Sequence, residues 1–431
     1  MATNGLVIAG LGSGSGKTTL TLGILRALTR RGIAVGAAKS GPDYIDGAFL
    51  TAACGTPTVN LDSYAMPPDM VRHLAQEQKP PLLLVEGVMG LFDGTDGGRG
   101  STAELAGILG APILLVIDVR HQAQTAAAIA AGIRTLLPDS SQLAGVVLNN
   151  AASSRHTMLI SEALASRSIP LFGSLPSHPD MVLPSRHLGL VQAADLVADD
   201  TLESRLEAAA DVMLANLDLD AICAAAGPIA AAQSKPGYLR PPGQRVAIAA
   251  DAAFGFSYTH MMRFWQAAGA EILPFSPLAD QPPADNADAV FLPGGYPELH
   301  LPRLSTAHRF LDGLRSAAAR GLPVYGECGG FMTLGSSVID ADGTSFKMAG
   351  LLQLETSFAD RKLHLGYRQV TARHAGWPGP GPLAAHEFHY TTAVKATGDP
   401  LFDVYDPAGN ALPPSGLIQG SVSGSYAHII A

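Results

Sequence analysis

Five short apolar runs punctuate the first third of the chain, at residues 5–11, 33–38, 81–86, 112–118 and 143–149. Most are followed by a segment whose apolar residues recur at helical spacing, so the pattern predicts strands alternating with helices in a parallel α/β sheet. A second series begins at "RVAIAADAAF" (245–254) and continues through "AEILPF", "DAVFLPGG" and "LPVYGECGG", which predicts another α/β domain. Between the two lies "AAAGPIAAAQSKPGYLRPPGQ" (224–244), whose Ala, Pro and Gly would hardly sustain regular structure. The expected organisation is a domain over 1–223, a linker over 224–244 and a domain over 245–431, with no internal repeat at a fixed period. Past residue 346 the pattern fades into "WPGPGP" and several His-rich stretches.

A length of 431 residues agrees with two domains rather than a single core. No run of about 18 uninterrupted apolar residues is present, so no membrane span is expected. The N-terminus lacks a basic segment before its apolar run and does not read as a signal peptide, which makes the cytoplasm the expected compartment. The net charge of -9, without a clustered basic face, argues against nucleic acid or anionic membrane as a partner. Cys54, Cys223 and Cys328 are odd in number and far apart, which excludes a disulfide framework and a C-x-x-C metal site. Only seven of the 28 basic residues are lysines, so Lys17 and Lys39, both inside glycine-containing motifs, stand out.

"IAGLGSGSGKTTLTLGILRAL" runs from an apolar strand through a glycine-rich loop to a Lys-Thr that opens a helix. In that order backbone N–H groups and the helix N-terminus face phosphates. The usual G-x-x-x-x-G-K-[ST] spacing would put its first glycine at Leu11; here it is Gly10, and the loop is one residue longer. Gly12, Gly14, Ser15 and Gly16 would line the nucleotide, Lys17 would reach its β- and γ-phosphates, Thr18 would ligate Mg²⁺, and Thr19 completes the stretch. Glu86, at the end of "PPLLLVEG", stands where a second Mg²⁺ contact belongs, although a solvated strand-end carboxylate would look the same. In "AAKSGPDYIDGAF", Lys39 is followed by Asp43 and Asp46. A lysine facing a reacting carboxylate and phosphate, with acids to orient substrate or, for Asp46, to share the metal, is what carboxylate activation by ATP requires. Taken alone, Lys39 reads equally as an ordinary loop ion pair.

"GLPVYGECGGFMTLG" places Cys328 between glycines at a strand-to-helix turn, the nucleophile-elbow pattern with a thiol. A position at a helix N-terminus is expected to favour the thiolate. "FLPGGYPEL" ends a strand in Gly294-Gly295, so Gly295 and Gly329 are the expected oxyanion donors for acyl transfer. His386 and His389 in "AHEFHYT" and His428 in "SVSGSYAHII" are the candidate bases, which position along the chain does not rank.

Taken together, "SGSGKTT", "KSGPDYIDG", "NLDSYAM", "LLLVEGVMGLFDG", "LPSRHLGLV", "DAAFGFSY", "FLPGGYPELH", "YGECGGFM", "HEFHY" and "GSVSGSYAH" resemble the cobyrinic and hydrogenobyrinic acid a,c-diamide synthase family over nearly the whole chain. The resemblance implies an N-terminal P-loop domain like that of dethiobiotin synthetase and a C-terminal class I glutamine amidotransferase domain. It implies ATP, glutamine and a corrinoid dicarboxylate as partners, Mg²⁺ as cofactor, and it would accommodate a homodimer. Cys328 would release ammonia from glutamine with His428 as base. Lys17, Thr18 and Glu86 would hold Mg-ATP, Lys39, Asp43 and Asp46 would face the transferred phosphoryl group, and Asn149 would contact adenine. Many cysteine amidotransferases carry a Glu two residues after the base, but here that position is Ile430, which resembles the cobalamin branch, where a Cys-His pair suffices, and leaves open whether Glu387 or a backbone carbonyl orients His428. Ammonia must be kept from bulk water, so an enclosed path between the sites is expected, with "HEFHY" a candidate lining. The Arg-over-Lys, Ala-rich composition inclines the substrate toward hydrogenobyrinic acid over cobyrinic acid or a nickel sirohydrochlorin. A cobyric acid synthase type is a further reading, and a regulatory P-loop ATPase with an inactive amidotransferase module is an alternative of a different class.

Overall fold

The computed structural model describes residues 3–77, 79–177 and 201–431 and divides into two compact units, Met1–Gly237 and Tyr238–Ala431. The "LPSRHLGLV" stretch lies outside the described residues. No described helix is long and apolar enough to cross a membrane.

The first unit is built on seven strands: β1 (Asn4–Gly10), β2 (Val35–Ser40), β3 (Val59–Leu61), β4 (Leu82–Glu86), β5 (Ile113–Asp118), β6 (Leu143–Ala151) and β7 (Leu171–Pro176). They pair in parallel in the order β3-β2-β4-β1-β5-β6-β7. The central strands are apolar without alternation because helices cover both faces, so every side chain of β1 from Gly5 onward is buried. Helix α1 (Lys17–Arg30) buries Leu20, Leu22, Ile24, Leu25 and Leu28, each worth about 2 kcal/mol of apolar transfer. It also pairs Arg26 with Glu207 and Arg30 with Asp211 on the helix Thr201–Asn216. Register sets the chemistry: Lys39 of β2 lies opposite Glu86 of β4, and Ile8 of β1 opposite the same Glu86. The C-terminal ends of the central strands thus bring the phosphate loop, Lys39 and Glu86 to one edge.

The stretch expected to be a linker is mostly irregular, yet it is anchored. Within the first unit, β8 (Gly227–Pro228) pairs with Asn4–Gly5, Ala230 N–H donates to Leu109 O at 2.8 Å, and Ser234 donates to Asp69 at 2.5 Å. Within the second, Tyr238 stacks on Phe264 with centroids 4.1 Å apart, and Trp265 Nε1 donates to Leu239 O at 3.2 Å.

The second unit starts as the pattern predicts. Strands β9 (Arg245–Ala249), β10 (Glu271–Phe275), β11 (Ala289–Leu292) and β12 (Val324–Glu327) run parallel in the order β10-β9-β11-β12, extended by Val422–Ser425 and then Leu417–Gln419. Between Leu334 and Leu417 the chain is not a continuing α/β series but strands in two further sheets. One of these is antiparallel and includes His364–Ala372, Pro382–His389 and Ala427–Ile429. The chain therefore leaves the parallel sheet at Ser425 and enters the antiparallel one at Ala427, carrying His428 with it.

Candidate active site

The first site lies at the C-terminal edge of the parallel strands of the first unit. Gly14 and Gly16 take φ of 75° and 94°, conformations that L side chains rarely adopt. Gly10 is also required: a Cβ there would fall 2.1 Å from Ser15 Oγ, where the loop folds back. Leu11, by contrast, is partly exposed, which explains why the usual glycine position tolerates a large side chain when the close approach is shifted by one residue. Gly16 caps α1 without a side-chain hydrogen bond, leaving first-turn N–H groups to face an anion.

Lys17 is buried, and its Nζ donates to Gly12 O at 2.9 Å and Met89 O at 2.5 Å. Burial, then the nearby Lys39 charge, lowers its pKa. Thr18 Oγ1 donates to Glu86 Oε1 at 2.5 Å, and Lys39 Nζ donates to the same oxygen at 2.9 Å. Lys39 also bonds Asp46 and lies 4.0 Å from Asp43. Burial alone would lower the Lys39 pKa, but Glu86, Asp46 and Asp43 outweigh it and hold the amine charged. Burial and then Asp46 push Asp43 up to about 7, while burial raises Glu86 despite Lys39. Burial and mutual charge thus set the three carboxyls and the amine against one another.

Glu86 Oε2 is buried with no hydrogen-bond partner, so one carboxylate oxygen stays open to a cation beside the Thr18 hydroxyl. Among the described residues no group of three or more His, Cys, Asp or Glu could hold a metal ion alone. The donor set fits Mg²⁺, which takes one or two protein oxygens plus nucleotide phosphates and water. Two further residues are tied to this edge. Asp46 is engaged with Lys39. Asn149 donates its amide to Ser15 O at 3.0 Å and would be struck by any Cβ on Gly16, so it braces the phosphate loop. The sequence reading missed Asn60, which donates to Gly41 O and Asp43 O at 2.9 and 2.8 Å and holds the turn that presents the two aspartates.

The second site is assembled around the turn from β12 to the helix Gly329–Leu334. Cys328 has φ 46° and ψ −104°, a strained backbone for a non-glycine residue and the signature of an elbow. The neighbouring glycines are there for space: a Cβ on Gly330 would fall 2.0 Å from Leu292 O, and one on Gly326 2.7 Å from Gly330 C. Gly295 and Gly329 are adjacent, since a Cβ on Gly329 would lie 3.2 Å from Gly295 N, so two backbone donors stand beside the thiol.

The expected thiolate is corrected here. Cys328 is buried, and desolvation together with Glu298, Glu327 and Glu387 pushes its pKa well up, outweighing the downward pull of the Gly329 N–H. With its pKa pushed up, the Cys328 thiol calls for a base. His428 is fully buried beside it: a Cβ on Gly294 would lie 2.2 Å from His428 Cε1, 3.1 Å from its Nε2 and 3.3 Å from Cys328 Cβ. His386 pairs in register with His428, whereas His389 is stacked between His364 and Tyr426 and donates from Nδ1 to Thr391 O at 3.1 Å. Burial first lowers both His386 and His389 to about 3, so both are neutral walls. Glu387 is paired with Arg368 at 2.7 Å and is not the acid within ion-pair distance of His428. That acid is Glu327, 3.6 Å from Nδ1, which the sequence reading passed over. The available signal was an acid closing a fully buried strand, a position that demands a partner.

Residues 6–191 match the CobQ/CobB/MinD/ParA nucleotide binding domain, and residues 245–431 match the CobB/CobQ-like glutamine amidotransferase domain. The chain is 49% identical to the hydrogenobyrinate a,c-diamide synthase of Brucella anthropi, over 99% of this chain and 98% of that one. The protein of the same name from Mesorhizobium japonicum is 49% identical over 100% and 99% of the two chains. That from Rhodobacter capsulatus is 48% identical over 99% and 98%. With both domain families matched in order and relatives aligned from end to end, the chain belongs to the hydrogenobyrinate a,c-diamide synthase family.

Proposed function

We propose that this enzyme amidates the a and c carboxylates of hydrogenobyrinic acid, using ATP and ammonia drawn from glutamine. The observation that carries the reading is the presence, on one chain aligned end to end with such synthases, of a phosphate loop coupled to Lys39 and Glu86 and of a strained Cys328 facing His428. In the first unit Lys17 exchanges its two carbonyl partners for nucleotide phosphates, and the charged Lys39 draws the substrate carboxylate toward the γ-phosphate. Thr18 and Glu86 would hold Mg²⁺, which on binding supplies charge neutralisation for the phosphates. The carboxylate takes the γ-phosphoryl group, leaving ADP and an acyl phosphate; ammonia then displaces phosphate to leave the amide. Exposed Met89 and Phe92, on the turn whose backbone holds Lys17, offer an apolar rest for the macrocycle.

In the second unit His428 takes the Cys328 proton as the sulfur attacks the glutamine amide carbon, with the oxyanion received by Gly295 and Gly329 N–H groups. The proton passes to the departing ammonia, and water releases glutamate from the thioester. The test is incubation with ATP, glutamine and each of hydrogenobyrinic acid, cobyrinic acid and nickel sirohydrochlorin. Mass spectrometry then looks for exchange of a hydroxyl for an amino group at two carboxyls. No exchange with any of the three overturns the reading, and glutaminase activity that survives Cys328→Ser removes the nucleophile assignment.

A further inference from the structure

We infer that Glu327, the residue directly before the nucleophile, is the positioning acid of His428. It would do from β12 what the acid two residues after the histidine does in many cysteine amidotransferases. The inference rests on the proposed reading of Cys328 and His428 as the pair that cleaves glutamine.

Three observations converge on Glu327. Its carboxylate spans the strand Ala427–Ile429: Oε1 accepts the Ile429 N–H at 3.1 Å, while Oε2 lies 3.6 Å from His428 Nδ1. One side chain of the parallel sheet therefore binds the backbone, and lies within ion-pair distance of the ring, of a strand in the antiparallel sheet. Second, the ring is turned so that its two nitrogens have different neighbours. Nδ1 is on the Glu327 side, and the Cε1 and Nε2 edge lies against Gly294, which itself adjoins Cys328. A proton held on Nδ1 toward the carboxylate leaves the Nε2 lone pair for the thiol. Third, Glu327 and His428 are both essentially removed from solvent. A buried carboxylate with no functional partner is costly to the fold, whereas an imidazolium formed there in catalysis needs a counter-charge.

The other groups around His428 are committed elsewhere. Glu387 bonds Arg368 and lies opposite Ala427. Ile430 occupies the usual acid position, and its carbonyl is taken by His260 Nε2 at 2.9 Å. From the neighbouring strand His386 and His389 face the ring as neutral imidazoles, and Cys328 faces it from the elbow. The same Glu327 charge disfavours a thiolate on Cys328. Its benefit therefore comes through His428, in stabilising the tautomer before proton transfer and the imidazolium after it. The 3.6 Å separation in the substrate-free site is of the kind that tightens when substrate binds.

The test compares Glu327→Gln and Glu327→Asp with the parent full-length chain. Glutamate release measures the glutaminase, and corrinoid amidation driven by ammonium salt measures the other site. Gln keeps the size and can still accept from Ile429, so loss of the tautomer lock is isolated. Glu327→Gln is expected to lower glutaminase kcat by about 10³-fold with little change in KM for glutamine. Loss of the nearby anion makes the imidazolium more acidic, so the acidic limb of the kcat/KM profile should move to lower pH. Glu327→Asp should restore part of kcat, and ammonium-driven amidation should persist. Retention of kcat within about threefold, or an equal loss of both activities, overturns the inference. Glutaminase activity that survives Cys328→Ser would instead mean that the underlying pair was misassigned.

Discussion

Gly294→Ala is the sharpest probe of the second site. Gly294 is not among the glycines with positive φ, so alanine faces no backbone penalty and acts only through its methyl group. That methyl would lie 2.2 Å from His428 Cε1, where ordinary contact begins at 3.4 Å, so the ring must retreat by about 1.2 Å. Retreat is blocked on the Nδ1 side by Glu327, and the strand that carries the ring is held by pairing with Pro382–His389. A displacement of about 1 Å between a base and its nucleophile costs on the order of 10²-fold in rate. The accompanying overpacking should destabilise the fold by about 1–3 kcal/mol. The assay is steady-state glutamate release beside amidation from ammonium salt, with folding checked by denaturant unfolding. We expect glutamine-dependent turnover to fall about 100-fold and ammonium-dependent turnover to persist. A folded Gly294→Ala enzyme that cleaves glutamine within about threefold of the parent would refute the convergence of Gly294, His428 and Cys328 as the working geometry.

Other outcomes follow from the same structure. Lys39→Met leaves Glu86, Asp46 and Asp43 without their shared cation, so it should destabilise the first unit by about 3–5 kcal/mol and abolish amidation from either nitrogen source. A variant as stable as the parent in urea would contradict this. His260 is lowered by burial to about 4, and His386 and His389 to about 3. All three bind protons more weakly folded than unfolded, so the stability they contribute is full above pH 6.5 and lost as pH falls toward 3. For three such groups the slope approaches about 4 kcal/mol per pH unit, readable in urea titrations through Trp265 and Trp377, the two tryptophans, both in the second unit. A flat stability curve between pH 6.5 and 4 would contradict it. Phe92→Ala should raise KM for the corrinoid by about tenfold while glutamate release stays unchanged, and an unaltered KM would remove Phe92 from the macrocycle site.

Much of the first unit was legible because its signals are local. The five apolar runs coincide closely with β1, β2, β4, β5 and β6, and the loop after β1 folds as a glycine-rich phosphate loop. The three-residue β3 and the two-residue β8 were not readable, since so short a strand has no period and exists only through its partner. The antiparallel sheet of the second unit escaped for a different reason: even its longer strands, His364–Ala372 and Pro382–His389, have no clean apolar alternation, and it takes in Ala427–Ile429 from far along the chain.

The sites divide along the same line. Lys17, Thr18, Cys328 and its glycines announce themselves because a phosphate loop and an elbow are each made from adjacent residues, whose spacing is the geometry. Lys39 against Glu86 is a matter of strand register, 47 positions apart. His428 against Cys328 depends on one strand leaving the parallel sheet for another, and Glu327 joins them only there. The upward push on the thiol pKa followed neither spacing nor its helix, because burial and the carboxylates of Glu298, Glu327 and Glu387 outweigh one N–H. Sequence alone determined which chemical groups this protein has and the local turns that present them. Tertiary structure decided which groups meet and how they are charged, since electrostatic energy depends on distance and desolvation, which a one-dimensional order does not contain.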